Sequence, residues 1–487
     1  MKITVFSGKK IVTFEAERGD NLLRLFSAHS VHIPARCGGN GKCGKCKAQL
    51  LSGRISGTQP DEKGEFLACL ARVEGDCSIS VREESGGGLQ EFGFARLPRC
   101  CGEEGYGIAL DVGTTTLAAC LVRLGDGKIL SKTSCLNPQA VFGSDVISRI
   151  QACADKNNLR ELHRSVTAAS AQLVQTLTKG KMRPKRMTVA GNATMLHLFC
   201  GEDPSSIGVY PFRTVFTEER EYGADSFGIP CDKLILMPSV SAYVGADITA
   251  DMLAADFLHS GETVLLADIG TNGEMALLSG GKILCTSTAA GPALEGACIE
   301  CGMGGVDGAI DRIYRENGAL RVTTIGNAAP VGICGCGLVD LVARLLEEGA
   351  IDETGYMEEE KYYLTDKVYL SQADVRQFQL AKSAIRAGML ALLHRAGISE
   401  EGVDRLIIAG GLGYYIDPAS AAKTGLIPEK LKNRAQALGN GSLYGAYLAL
   451  TDKSCREEAI RIASSCEVID LSTDETFTEQ FMEGMYF

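Results

Sequence analysis

Hydrophobic and polar residues alternate with a period of two along KITVFS and KIVTFEA, and the break at Gly8-Lys9 predicts a β-hairpin. The next segment, DNLLRLFSAHS, changes period: Leu22, Leu25 and Phe26 share a helical face behind Asp20 as N-cap. A closing strand is expected in LACLARVEGDCSISV, ending near Val81. Periodicity then lapses in EESGGGLQEFGFARLPRCCGEEG, where a triple glycine and a proline predict a flexible linker. Beyond it lies an internal repeat. GIALDVGTTTLAACLV (107–122) and VLLADIGTNGEMALL (264–278) both read apolar strand, Asp-x-Gly-Thr turn, apolar strand, and each is followed by Gly-Lys-Ile-Leu, at 127–130 and 281–284. LIIAGGLG (406–413) is a strand running into a glycine-rich turn, and ICGCGLVDLVARLL (333–346) has helical spacing.

A chain of 487 residues, 45% hydrophobic and 22% charged, calls for two or three compact units of a soluble globular protein. A net charge of -11 and the lack of any basic run argue against nucleic acid as a partner. MKITVFSGKK has no apolar signal-peptide core, and no run of about 18 apolar residues predicts a membrane span. The chain is therefore read as cytoplasmic, and its 19 cysteines as metal ligands and reduced thiols, not a disulfide framework.

Cys37, Cys43, Cys46 and Cys69 form a C-x5-C-x2-C-x22-C pattern that resembles plant-type and adrenodoxin-type [2Fe-2S] ferredoxins, though its first gap is wider than the plant C-x4-C-x2-C. Three thiolates on one loop and a fourth from a later segment suit two irons that each need two sulfur ligands, whereas a zinc ribbon favours two C-x2-C knuckles. Gly38, Gly39, Gly41 and Gly44 let amide N–H groups turn toward sulfur, and Arg36, Lys42, Lys45 and Lys47 offset the cluster's negative charge. A zinc site or four unrelated thiols is the alternative. Cys77 reads as a packed apolar residue, Cys100-Cys101 as a linker thiol pair, and His197 as a core histidine. Cys298, Cys301, Cys334 and Cys336 read as small buried residues in preference to a second metal centre.

Two Asp-x-Gly-Thr hairpins in one chain point to phosphate. Glycines let backbone N–H groups approach phosphate oxygens, threonine hydroxyls add donors, and an aspartate at a strand end can hold Mg2+ directly or through water. The competing reading is a pair of polar hairpin turns. The second unit resembles the ASKHA superfamily of acetate and sugar kinases, Hsc70 and actin: 111–116 matches its first phosphate motif, 268–274 its second and 406–413 its adenosine motif. The resemblance implies two RNase-H-like lobes with ATP between them, and it casts 333–346 as a connecting helix in which Gly335 and Gly337 allow close backbone approach. The expected fold is an α+β ferredoxin-like (β-grasp) domain over 1–84, a linker over 85–105, and an α/β two-lobed ASKHA domain with lobes over 106–262 and 263–487.

A plant-type [2Fe-2S] domain joined to an ASKHA ATPase resembles one family in particular, the reductive activators of corrinoid proteins. NPQAVFGSDVISRI from Asn137, GNATMLHLF from Gly191, SAYVGADITA from Ser241, AAGPALEGA from Ala289 and the terminal STDETFTEQFMEGMYF also fit it. The chain departs from the family pattern in lacking most of the longer linker and middle domain that often precede the ATPase. The resemblance implies an ATP-dependent activase that passes an electron from its cluster to a corrinoid protein of a methyltransferase system, returning Co(II) to Co(I). It implies an upstream electron donor (ferredoxin, flavodoxin or reductase) and a homodimer formed through the ASKHA domain.

Motif by motif, Asp111 and Asp268 would position Mg2+ and water. Gly113, Thr114, Thr115, Thr116, Gly270, Thr271, Asn272 and Glu274 would form the phosphate loops, and Gly410, Gly411 and Gly413 would pack against adenosine. Asp145 and Asp247 either assist hydrolysis or Mg2+ binding or cap helices. Glu295, beside Gly291, either contacts nucleotide or caps the next helix. Activation of a different low-potential metalloenzyme, a small-molecule kinase with a redox-sensing cluster, and an actin-like assembly module are the other readings. The electron carrier argues against the last.

Overall fold

The structure is a computed structural model that describes residues 1–7, 10–29, 31, 33, 41, 44, 46–81, 99–100, 102–413 and 415–487. Cys37, Cys43, Cys101 and most of the predicted linker lie outside the described residues.

The N-terminal unit is built as its periodicity predicts. β1 (Lys2–Ser7) and β2 (Lys10–Glu15) pair antiparallel, α1 (Leu22–Ala28) follows, and β3 (Lys47–Ser56), β4 (Glu65–Leu67) and β5 (Arg72–Val81) complete a sheet of order β2-β1-β5-β3-β4. β1 runs parallel to β5, which makes the sheet mixed. Ile3 and Val5 point inward from β1 while Lys2 and Phe6 face out, and Leu22, Phe26, Phe66 and Ile79 close the core over them. Cys77, inside this core, has its thiol pushed up to about 11 by burial and then by Asp76, which suits packing, not ligation.

Part of the predicted linker is tied down. The Arg99 N–H donates to Asp452 at 2.8 Å, and Glu103 pairs with Arg186 and, at 3.3 Å, with Lys185. An acidic side chain met by two cations is held where glycine and proline alone predict freedom.

The second unit holds two copies of one sheet plan. The first comprises β6 (Tyr106–Val112), β7 (Thr116–Arg123), β8 (Lys128–Leu136), α2 (Val146–Ala152), α3 (Lys156–Thr178), β9 (Arg186–Gly191), α4 (Ala193–Cys200), β10 (Arg220–Gly223), β11 (Lys233–Leu236) and α5 (Ala246–Ala254). Its order is β10-β11-β9-β6-β7-β8. The second comprises β12 (Val264–Ile269), β13 (Gly273–Ser279), β14 (Lys282–Thr288), β15 (Ala309–Glu316), β16 (Ala319–Thr324), β17 (Gly332–Ile333), α6 (Gly335–Glu348), β18 (Lys361–Tyr363), β19 (Tyr369–Ser371) and α7 (Gln372–Ala396). It continues through β20 (Arg405–Ala409), α8 (Gly410–Gly413), α9 (Pro418–Lys423), β21 (Ala435–Gly439), α10 (Gly441–Thr451), α11 (Lys453–Ser465), β22 (Cys466–Val468) and α12 (Glu475–Glu483). The order β21-β20-β12-β13-β14-β22 repeats the first plan: an antiparallel meander whose first strand pairs in parallel with a later one, β6 with β9 and β12 with β20.

The helices between the sheets are α5 and α10, whose residues share one apolar core with both sheets. They cross where α10 carries glycine: a Cβ on Gly445 would lie 2.2 Å from the Ala250 carbonyl oxygen. The helix over 333–346 forms as α6, but it packs on β15 and α9 in the outer layer of the second lobe and does not connect the lobes. Its glycines do serve close approach: Cβ atoms on Gly335 and Gly337 would lie 1.9 and 2.2 Å from the Leu294 and Ile310 carbonyl oxygens. α10 and α11 also return the chain to the core of the first sheet, so the lobes interleave in sequence beyond residue 440.

His197 is buried, with Nδ1 2.7 Å from the Ala193 carbonyl, Nε2 accepting from the Val215 N–H at 3.0 Å, and its ring stacked on Phe216. It is a core histidine. Of the four remaining cysteines, Cys334 and Cys336 are buried but Cys298 is exposed and Cys301 half-buried, because the α6 start is packed while 298–301 is a surface turn. Among the described residues these thiols supply no group of three within metal-ligand distance. No helix among the described residues is long and apolar enough to cross a membrane. Gly445→Val is expected to force α5 and α10 apart, lowering the unfolding free energy by about 3 kcal/mol in a denaturant titration.

Candidate functional site

Two of the four predicted cluster ligands are described, and both are buried, Cys46 at 1% and Cys69 at 7% relative exposure. Pairing of β3 with β4 brings them together: the Ala68 N–H donates to the Cys46 carbonyl at 2.8 Å, and Asn21 Nδ2 donates to the Cys69 carbonyl at 2.7 Å. Gly41 and Gly44 have φ of +74° and +63°, conformations that favour glycine, on the approach to Cys46. Two screened thiols converging on a glycine-bent loop fit an iron-sulfur cluster. Cys37 and Cys43 lie outside the described residues.

The two Asp-x-Gly-Thr turns face one another across the cleft between the sheets. In the first, the Gly113 N–H donates to the Thr116 carbonyl at 3.0 Å and closes the turn. In the second, the Gly270 N–H donates to the Asn272 carbonyl at 3.0 Å in the same way. Glu295 joins them: Thr115 Oγ1 donates to one carboxylate oxygen at 2.7 Å and the Thr271 N–H to the other at 2.8 Å. Glu295 thus engages one donor of each loop, the groups expected to meet phosphate. The Thr271 carbonyl accepts from the Gly291 N–H at 2.9 Å, and Thr271 Oγ1 is buried with no hydrogen-bond partner. Asn192 Nδ2 donates to Thr114 Oγ1 at 3.1 Å.

Carboxyl groups crowd behind the loops. Asp111 accepts from Asn440 Nδ2 at 2.9 Å and Ser442 Oγ at 2.8 Å, both at the start of α10. Asp268 stands opposite Glu274 in the β12–β13 register. A Cβ on Gly410 would lie 2.3 Å from Asp268 Oδ1, so the start of α8 rests directly against that aspartate. Gly411 and Gly413 continue the same short helix. Burial, and then the charge of Asp268, pushes Asp247 up to about 7; burial, opposed by Asp251 and aided by Asp111 and Glu295, pushes Asp268 up to about 6. Asp111 is raised by burial against its two hydrogen bonds, and Glu274 by burial and Asp247.

Asp251 was not predicted. It is fully buried, among the described residues neither of its oxygens meets an N–H or O–H donor, and burial and the neighbouring Asp268 carboxyl push it well up. Its sequence signal is an aspartate four residues after Asp247 on an otherwise apolar helix. Mg2+ fits this donor set: several like charges withdrawn from water, with orphaned oxygens between them. No three of these carboxylates bring ligand atoms within 4.8 Å of one another. That suits a cation that keeps most of its waters.

Asp145 is an N-cap. It accepts from the Ser148 N–H at 2.8 Å, Ser148 Oγ at 2.7 Å and Ser144 Oγ at 3.2 Å, and these bonds with the Arg149 charge outweigh burial and hold its carboxyl low. Asp247 sits in the first turn of α5, accepting from the Ile248 N–H at 2.9 Å, and also belongs to the carboxyl group. Arg149, also unpredicted, is fully buried and donates to the Thr114 carbonyl at 2.6 Å. Burial pushes it down to about 9 against the pull of Asp145 and Glu295.

Comparison with known proteins covers both units. Residues 5–74 match the 2Fe-2S iron-sulfur cluster binding domain, 106–260 the RACo middle region, and 262–487 the C-terminal domain of RACo, the ASKHA domain. The middle region is therefore present, contrary to the sequence expectation: it is the lobe that carries the first phosphate motif, not an insert before it. The chain is 32% identical to the corrinoid activation enzyme RamQ of Eubacterium limosum, over 78% of this chain and 70% of that one. It is 28% identical to the [Co(II) methylated amine-specific corrinoid protein] reductase of Methanosarcina barkeri, over 77% and 76%. A solved reductive activator for corrinoid, iron-sulfur protein superposes over 100% of this chain and 98% of its own, with a TM-score of 0.73 at 27% identity.

Asp247 and Asp268 sit at about 7 and about 6, above the ordinary carboxyl value of the unfolded chain. The nucleotide-free fold therefore binds protons that the unfolded chain does not, and its stability is fullest below that ordinary value and is lost as pH rises through 6 and 7. Unfolding free energy without divalent cation is expected to fall from about pH 4 to about pH 7 and level off above, and Mg-ATP to flatten the slope. A profile flat without Mg-ATP would refute the carboxyl account.

Proposed function

This chain belongs to the family of reductive activators of corrinoid proteins, and we infer that it is an ATP-dependent enzyme that returns Co(II) to Co(I) in a corrinoid protein of a methyltransferase system. The observation that carries this is the joining, in one chain, of a buried Cys46–Cys69 pair to a cleft where Glu295 spans two phosphate loops. An electron carrier alone needs no phosphate site, and a kinase needs no cluster.

Held by Cys46 and Cys69 with Cys37 and Cys43, a [2Fe-2S] cluster would supply one electron at a time for the Co(II) to Co(I) reduction, an upstream ferredoxin, flavodoxin or reductase being the electron source. The protein's own residues do the rest. β3, β4 and the Asn21 bond hold Cys46 and Cys69 out of bulk water, which limits leakage of the electron to solvent species. Backbone N–H groups and hydroxyls of 114–116 and 271–272, on turns closed by the Gly113 and Gly270 N–H groups, would bind the phosphates, and Gly410, Gly411 and Gly413 would lie against adenosine. Asp111 and Asp268 would hold Mg2+, Asp111 being fixed by Asn440 and Ser442. Arrival of the triphosphate takes the Thr115 hydroxyl and Thr271 N–H from Glu295 and frees its carboxylate to order the attacking water. An uphill reduction needs such a step, because ATP can drive it only by changing which protein conformation is favoured. The protein works in the cytoplasm as a homodimer formed through the ASKHA domain.

The direct test mixes the reduced protein with a Co(II) corrinoid protein under anaerobic conditions and follows Co(I) absorption with and without ATP. Rapid Co(I) formation is expected only with ATP. Phosphorylation of a metabolite with no corrinoid reduction would overturn the reading. Cys46→Ser is expected to abolish the cluster's visible absorption and Co(I) formation while ATPase stays within about twofold. Asp268→Asn is expected to do the reverse, keeping the cluster spectrum and lowering ATP turnover about a hundredfold.

A further inference from the structure

One connector holds three successive carbonyls of the first phosphate loop. Asn137 Nδ2 donates to the Gly113 carbonyl at 2.8 Å, Arg149 Nη2 to that of Thr114 at 2.6 Å, and the Asn137 N–H to that of Thr115 at 2.8 Å. In a planar trans peptide the N–H points opposite to the C=O, so this anchoring turns the loop's N–H groups away from the connector and toward the cleft. Arg149 is the keystone. Its other donors go to the Gly143 carbonyl at 3.0 Å, Gln139 Oε1 at 3.3 Å and the Met195 sulfur at 3.1 Å. Among the described residues it forms no ion pair, an expensive state for a fully buried guanidinium.

The far side of the same connector carries the cluster domain. Val141, at the end of the 3-10 turn Pro138–Val141, packs against that domain's core. The Arg24 guanidinium of α1 lies over the next residue, Phe142, 5.9 Å from the ring centre. At the head of α1, the Asn21 side chain donates to the carbonyl of Cys69, a cluster ligand. A chain of contacts thus runs from the phosphate loop through Arg149, Gly143 and Phe142 to Arg24, whose N–H donates to Asn21 Oδ1 at 3.2 Å, and through Asn21 to Cys69.

We propose that the connector over 137–152 transmits nucleotide occupancy to the docking of the cluster domain, with Arg149 as the positioning residue. A triphosphate beside the loop adds anionic charge to that of Asp145 and Glu295, which act on this buried cation from beyond ion-pair distance. The resulting shift in the Thr114 carbonyl and Arg149 moves Gln139 and Gly143, and with them the Val141–Phe142 seat under α1. The cluster domain is released or reoriented when ATP is present, and ATP thereby decides when the cluster meets the corrinoid. This rests on the reading of the cleft as an ATP site.

The test uses the full anaerobic protein with its cluster in place. Amide hydrogen exchange is followed over 22–28 and 137–143 with and without a non-hydrolysable ATP analogue, and analogue affinity is measured separately. In the unsubstituted protein the analogue is expected to change exchange in both segments. Arg149→Gln is expected to bind analogue within about tenfold of the unsubstituted protein yet lose the response over 22–28. Arg24→Ala, an exposed change outside the cleft, is expected to leave ATPase and cluster spectrum unaltered and to lower ATP-stimulated Co(I) formation about fivefold. Tight analogue binding with no exchange response in 22–28, or full ATP stimulation in Arg24→Ala, overturns the proposal alone. Failure to bind nucleotide at all overturns the ATP-site reading and the proposal with it.

Discussion

Like charge held out of water is the constraint around which the second unit is arranged. Asp111, Asp247, Asp251, Asp268 and Glu274 gather behind the two phosphate turns with too few hydrogen-bond donors to satisfy them, and burial drives each of them toward the protonated form. Such a group is costly unless a cation or a proton enters it. The fold tolerates that cost because both sheets and the crossing helices α5 and α10 bury a shared apolar core beneath it. Buried like charge of this kind favours protons or a cation among the carboxylates.

The same crowding explains why the lobes meet as they do. Glycine at 441 and 445 lets α10 approach Asp251 and the α5 backbone, positions where a Cβ would sit 2.2 Å from another atom. The two lobes consequently share one interior at the crossing, while across the cleft they touch through Glu295. A crossing below and a carboxylate latch above is an arrangement in which ligand binding can alter lobe geometry without unfolding either sheet.

Electron delivery imposes the opposite demand at the other end of the chain. Cluster ligands must stay screened, yet the cluster must come close to its acceptor. The N-terminal unit meets the first need with a small mixed sheet of its own. On the side of the second need, Arg99 and Glu103 are fastened by Asp452, Arg186 and Lys185, and among the described residues α1 meets the first lobe at Val141 and Phe142.

Period and motif determined much of this. Alternation in KITVFS and KIVTFEA, the cysteine spacing, and the repeated Asp-x-Gly-Thr turn specified a ferredoxin-like unit and a duplicated sheet plan, because strand pleat and tight glycine turns depend on neighbours in sequence. The family resemblance extended that reading to function. What remained hidden depended on neighbours in space. Nothing near Asp251 announces that it faces Asp268, and ISRI does not say that its arginine reaches the Thr114 carbonyl from 35 residues away. ICGCGLVDLVARLL has the helical period of a connector, yet α6 packs outside and α10 takes the inner place, since periodicity defines an apolar face but not the surface that will cover it. Asp145 likewise carries the right chemistry for a catalytic acid, and only the fold spends it on capping α2. Local geometry is written in order along the chain; the electrostatics of the cleft arises where distant segments converge and exclude water.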